Sequence, residues 1–108
     1  MEVVIVRILQ FNVEGQRLMK EGDFSNIVRG SKGLLKCRFD FIGRDVLDSK
    51  IIAVFERDKK EYAVPVDIDG TCMVPDEITD SPCFKLKLVS LRERCKMSTD
   101  SIIIRQEG

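Results

Sequence analysis

The sequence predicts an all-β fold, a single-domain antiparallel β-sandwich of about seven to nine short strands, immunoglobulin-like or similar. Three observations carry the prediction. First, Leu35, Cys37, Phe39 and Phe41 alternate with Lys36, Arg38 and Asp40, and Phe84, Leu86 and Leu88 alternate with Lys85 and Lys87, while Tyr62, Val64, Val66 and Ile68 hold every second position of a third run. A period of two is that of a strand with one buried face. Second, no stretch spaces its apolar residues at the 3.6 period of a helix. Third, the alternating runs are separated by clusters of Gly, Pro, Asn and Asp, at the spacing of short strands. The chain of 108 residues is the size of one domain, 1–108. Such a chain buries roughly 60–70% of its unfolded surface, enough to fold without metal or disulfide.

In chain order, residues 2–11 read as a β-branched strand with Val3, Ile5 and Leu9 on one face and Val4, Val6 and Ile8 on the other. Apolar residues on both faces point to a central strand or one covered by a partner. Residues 12–16 read as a turn, with a brief return at Arg17, Leu18 and Met19. Glu21-Gly22-Asp23 breaks the pattern, and a short strand is expected over 25–29, ended by Gly30-Ser31-Lys32-Gly33. The cleanest one-sided strand is 35–41. A loop over 42–49 should tuck Val46 and Leu47 into the core. Residues 51–75 then read as a three-stranded meander: Ile51, Ala53 and Phe55 against Ile52, Val54 and Glu56, a charged break at 58–61, the run from Tyr62, and a return over 71–74 after the Asp69-Gly70 hairpin dipeptide. Pro75 can start one helical turn and no more. The strand over 83–88 gives way to a turn or bulge at 90–94, and the last strands are 95–99 and 101–105. The core should contain Phe39, Phe41, Phe55, Val64, Val66, Phe84, Leu86 and Leu88.

The composition removes most catalytic chemistry. There is no His, the residue most used as general base, as partner to a Ser or Cys nucleophile and as zinc ligand. No nucleophile-elbow or phosphate-cradling glycine motif occurs, and Gly30-Ser31-Lys32-Gly33 lacks the spacing of one. No catalytic, cofactor-binding or metal-binding residue is assigned, and the protein is expected not to be an enzyme. Asp67, Asp69 and Gly70, with Asp76 and Glu77 nearby, share part of a calcium-loop pattern but lack its terminal bidentate Glu, so a plain turn is expected. Cys37, Cys72, Cys83 and Cys95 form no C-x-x-C pair and should be free, buried thiols binding no metal. If a disulfide forms, Cys72 with Cys83 is the candidate.

Lys and Arg total 18, as do Asp and Glu. Without a basic excess to neutralise phosphates, nucleic-acid binding is not expected. The scarcity of exposed-reading aromatics speaks against stacking on bases or small ligands. Charge is nevertheless segregated along the chain: 58–80 holds seven acids against Lys59 and Lys60, and 81–96 holds Lys85, Lys87, Arg92, Arg94 and Lys96 against Glu93. The N-terminus lacks the features of a signal peptide, and no apolar run approaches the roughly 20 residues of a membrane span.

One further pattern is more specific. Arg38-Phe39-Asp40-Phe41 ends a strand, and after a loop comes Lys50-Ile51-Ile52-Ala53-Val54-Phe55. A strand led by Tyr62 follows, then Asp69-Gly70-Thr71-Cys72-Met73-Val74-Pro75 with Glu77-Ile78, then Phe84-Lys85-Leu86-Lys87-Leu88, and Ser98-Thr99-Asp100 before Ser101-Ile102-Ile103-Ile104. This order of landmarks resembles the N-terminal domain family of upper baseplate and tail proteins in phages and prophages of Firmicutes, over about two-thirds of the chain, residues 34–105. Such proteins often carry Trp where this chain has Val46, and often continue into a fibre or coiled coil, so the chain reads as a free-standing virion protein or the N-terminal domain of a longer one. The resemblance implies a non-catalytic virion structural protein, a baseplate, tail or fibre-attachment module. Such a protein is made in the host cytoplasm, works in the virion, and acts through contacts with copies of itself or neighbouring virion proteins. The alternative is a carbohydrate- or protein-binding β-sandwich module outside any phage.

Overall fold

The computed structural model describes residues 6–25, 27, 35–42, 50–92 and 95–106. Among the described residues, nine strands and one helical turn follow in order: β1 (Arg7–Glu14), β2 (Arg17–Glu21), β3 (Leu35–Phe41), β4 (Lys50–Arg57), β5 (Lys60–Pro65), β6 (Thr71–Met73), α1 (Asp76–Thr79), β7 (Cys83–Arg92), β8 (Cys95–Ser98) and β9 (Ile102–Arg105). They form the two sheets of an all-β, sandwich-like domain. The first has the order β2-β1-β3-β6. The second has the order β5-β4-β7, with β8 and β9 both on the far side of β7. β8 pairs with Val89 to Arg92 and β9 with Cys83 to Leu86, so the two short strands share one edge of the long one.

All pairings are antiparallel except β1 with β3, which run parallel in the register Phe11 to Phe39. The sheets are thus antiparallel in the main, with one parallel ladder between β1 and β3. Residues 22–34 separate β2 from β3, a connection of the dozen or more residues that a parallel return needs.

Strand parity follows the alternation. On β3, Leu35, Cys37 and Phe39 are buried and Arg38 and Asp40 exposed; on β7, Phe84, Leu86 and Leu88 are buried. They meet Leu9, Phe11 and Val13 of β1 and Ala53 and Phe55 of β4 in one apolar cluster. Phe11 stacks on Phe39 with ring centroids 5.2 Å apart, and Phe55 lies 5.9 Å from Phe84. Each such side chain contributes about 1.5–3 kcal/mol by leaving water.

Three expected core residues, Phe41, Val64 and Val66, are only half-buried. Val64 belongs to β5, an edge strand, and edge positions have a neighbour on one side alone. Ile68, expected to continue that strand inward, is fully exposed at a turn tip. Several boundaries also move. β1 continues to Glu14, because Asn12 and Val13 pair with β2, and the turn is Gly15-Gln16 with Gly15 at φ 60°. The charged break at 58–61 is a tight hairpin in which Asp58 and Lys59 both take positive φ, as a type I′ turn requires. Ser90, Leu91 and Arg92 extend β7 instead of forming a turn. Ser25 and Ile27 are not in a strand, though Ile27 is buried in the core. Val3, Val4, Ile5, Gly30-Ser31-Lys32-Gly33, Val46 and Leu47 lie outside the described residues.

The meander is the largest correction. β4 and β5 are a hairpin of the second sheet, but β6 pairs with β3 in the first. Asp69-Gly70 is a turn, yet it carries the chain from one sheet to the other. Gly70 N donates to Asp67 O (2.9 Å) and Asp67 N to Thr71 O (2.8 Å), closing a loop longer than a two-residue hairpin. After β6 the chain makes the single turn α1 behind Pro75, with Ile78 and Thr79 fully buried. Gln106 Nε2 donates to the carbonyls of Ile78 (3.2 Å) and Ser81 (2.7 Å), fastening this turn to the segment after β9.

Candidate functional site

The two outer faces of the sandwich differ in chemistry. On the first sheet, Gln10 and Asn12 of β1 face outward and are engaged: Gln10 Nε2 donates to Asp40 Oδ2 (3.0 Å) and Asn12 Nδ2 to Glu21 Oε2 (2.6 Å). Arg38 is exposed beside them. Apolar exposure on β1 is confined to Ile8, with Val6 just before the strand. Among the described residues, the apolar second face expected of the first strand is carried by Val6 and Ile8, followed by polar Gln10 and Asn12; Val3, Val4 and Ile5 lie outside them.

The second sheet is apolar at the centre of its outer face. Ala53 and Phe55 point into the core, so Ile52 and Val54 point out. Directly opposite residues share a face, which sets Pro65, Ile52, Val89 and Ser98 in one row across the sheet and Ala63, Val54 and Lys87 in the next. Leu91 lies one row beyond, between Lys50 and Lys96. Val89, in the row of Ile52, is only 7% exposed, so it offers little surface of its own. The signal for this face was present in sequence, since Ile51 to Phe55 is apolar at every position.

Charge flanks this strip asymmetrically. A fourth row runs Glu61, Glu56, Lys85 and Ile103 across β5, β4, β7 and β9. Acids therefore lie on the β5–β4 side, while Lys85 and Lys87 lie on the β7 side. The segregation of 58–80 from 81–96 maps onto this gradient for Glu61, Lys85 and Lys87, which the structure brings onto one surface. Glu61 and Lys87 partly neutralise each other at 3.6 Å. Glu93 and Arg94 lie outside the described residues.

The remaining sequence candidates are separated or engaged locally. Asp69 Oδ1 accepts from the Thr71 hydroxyl (2.6 Å) and the Thr71 N–H (3.1 Å). The hydroxyl bond is the main cause that holds the Asp69 carboxyl below its usual 3.8. Asp76 and Glu77 sit in the first turn of α1, where the Glu77 carbonyl accepts from Arg57. Among the described residues, no group of three His, Cys, Asp or Glu could hold a metal ion. Of the described thiols, Cys37 and Cys72 are buried and Cys83 is exposed, correcting the expectation of burial at Cys83, while the Cys95 side chain lies outside the described residues. All three are free, and Cys72 lies opposite Cys37 on β3, not beside Cys83.

An open groove of about 640 Å³ lies at one end of the sandwich. Phe39, Phe41, Ile51 and Val66 form its apolar wall, and its ionisable residues are Lys50, Asp67 and Asp69. All seven aromatic side chains belong to the core or pack against it: Phe11, Phe39, Phe55 and Phe84 inside, and Phe24, Phe41 and Tyr62 at its margin. The aromatic platform on which a glycan or a base would stack is thus committed to packing. No helix among the described residues is long and apolar enough to cross a membrane. No family model matches the chain, and no curated protein matches it.

Proposed function

We propose that this domain is a non-catalytic assembly module that packs the outer face of its second sheet on the same face of a second copy. The observation that carries the reading is the outer-face patch of half-buried Ile52 and Val54 with exposed Leu91 and Ile103 beyond them, beside Glu61 and Glu56 on β5 and β4 and Lys85 and Lys87 on β7. Consider a two-fold axis along the strands, between β4 and β7. It lays β4 of one copy over β7 of the other, as in aligned sheet packing. Ile52 and Val54 then lie over β7 of the second copy, and Glu56 meets its Lys85. An isologous contact needs such self-complementarity, with apolar burial supplying most of the affinity and charge fixing the register. The phage setting rests on the resemblance of residues 34–105: the domain would be a structural part of a tail or baseplate, made in the bacterial host cytoplasm and carried in the virion, contacting itself and neighbouring virion proteins. Tail or capsid genes beside its own would support that setting, and their absence would count against it.

The test uses two charge reversals and their mixture. Light scattering at low salt should show wild-type self-association that rises with concentration. Glu56→Lys alone and Lys85→Glu alone should each be monomeric, because each puts like charges across the axis. Mixed in equal amounts they should associate, since every cross-axis pair is then opposite in sign, and the association should weaken in salt that screens beyond about 10 Å. A wild-type chain that stays monomeric at high concentration in low salt overturns the reading. A wild-type dimer whose variants do not complement each other overturns this axis.

A further inference from the structure

Cys37 and Cys72 face each other across the β3–β6 ladder. The flanking backbone bonds, Phe39 N to Gly70 O (2.8 Å) and Val74 N to Leu35 O (3.0 Å), lie two residues to either side and fix the phase of the pairing. At that phase directly opposed Cα atoms are about 5.5 Å apart, inside the roughly 4.4–6.8 Å that a disulfide spans. Both side chains point inward, 0% and 3% exposed. The neighbouring Cys72 thiol, and then burial, push the Cys37 thiol well up from its usual 9.0, which keeps it protonated and unreactive while the ladder is closed. β6 is three residues long and forms the edge of its sheet, so it has few bonds to break when it opens.

We propose that Cys37 and Cys72 are a disulfide-forming pair, and that oxidation by a low-molecular-weight disulfide staples edge strand β6 to β3. When β6 opens, Cys72 loses its proton to solvent and its thiolate attacks one sulfur of the oxidant. A mixed disulfide forms and one small thiolate leaves. The Cys37 thiol then loses its proton and attacks the Cys72 sulfur, forming the Cys37–Cys72 bond and expelling the second small thiolate. Two protein thiols are oxidised and one small disulfide is reduced to two thiols. The new bond closes the loop from β3 through the β4–β5 hairpin to β6, and a loop of that length restricts the unfolded chain strongly. Cys83 is exposed and stands opposite neither Cys37 nor Cys72, so it takes no part in this bond. The pair is independent of self-association, since a monomeric domain carries it equally.

The experiment equilibrates the full chain with oxidised glutathione in mild urea, removes both reagents, and reads thiols and melting temperature. Peptide mapping after alkylation should recover Cys37 bonded to Cys72, and the melting temperature should rise by about 10 °C. Cys83→Ser should leave both results unchanged. Cys37→Ser should abolish the rise, and Cys72→Ala should do the same if the Ser variant does not fold. Free Cys37 and Cys72 after equilibration, a bond between Cys72 and Cys83, or a bond that lowers the melting temperature would each overturn the proposal.

Discussion

Replacing Gly70 by Ala tests the crossing between the two sheets. Gly70 has φ 83°, in the left-handed region that costs an L-residue about 1–2 kcal/mol. A Cβ built there would also lie 2.7 Å from the carbonyl oxygen of Phe39, closer than real Cβ contacts come. That oxygen belongs to β3 backbone locked between β1 and β6, and the Phe39 ring is in the core. Relief must come from the turn, which then weakens the bond from Phe39 N to Gly70 O, itself worth about 0.5–1.5 kcal/mol. The sum is about 1.5–3.5 kcal/mol. Gly15→Ala is the control, because Gly15 also has positive φ (60°) but has nothing within 4 Å of the added carbon. It should show the conformational cost alone. Urea denaturation of both variants at neutral pH, with unchanged slopes, gives the difference directly. Gly70→Ala should be the worse by about 1 kcal/mol, or about 4 °C in melting temperature. Equal costs would refute the close approach of the turn to β3.

Two further outcomes are expected. Phe84→Ala should cost about 3–5 kcal/mol, because Phe84 is 2% exposed against Phe55, while Val66→Ala at the groove margin should cost clearly less; equal losses would contradict the half-burial of Val66. Asp69 should titrate below its usual 3.8, so the stability it contributes is present above that value and lost as pH falls through its lowered pKa; in an NMR titration Thr71→Val should move the midpoint back up, and an unchanged midpoint would contradict the bond.

Much of the candidate face could be read from residues. The Lys85 and Lys87 positions on the outer side of β7 followed from alternation with Phe84, Leu86 and Leu88. The apolar strip was harder, because Ile51 to Phe55 has no polar phase to mark which side meets water. The depth of the core was misjudged for a related reason: Val64 and Val66 alternate as a buried strand does, but alternation does not say whether a strand is central or at an edge.

The sequence by itself determined which face of β3 and β7 turns inward, that Asp69-Gly70 makes a turn, and that Pro75 starts one helical turn and no more. These are local matters, set by a two-residue period and by the φ preferences of single residues. Only the tertiary structure decided that β6 leaves the hairpin before it to pair with β3, that β1 and β3 run parallel, and that Cys37 lies opposite Cys72. Ladder partners far apart in the chain are chosen by which apolar faces can be buried together, and that choice depends on every strand at once.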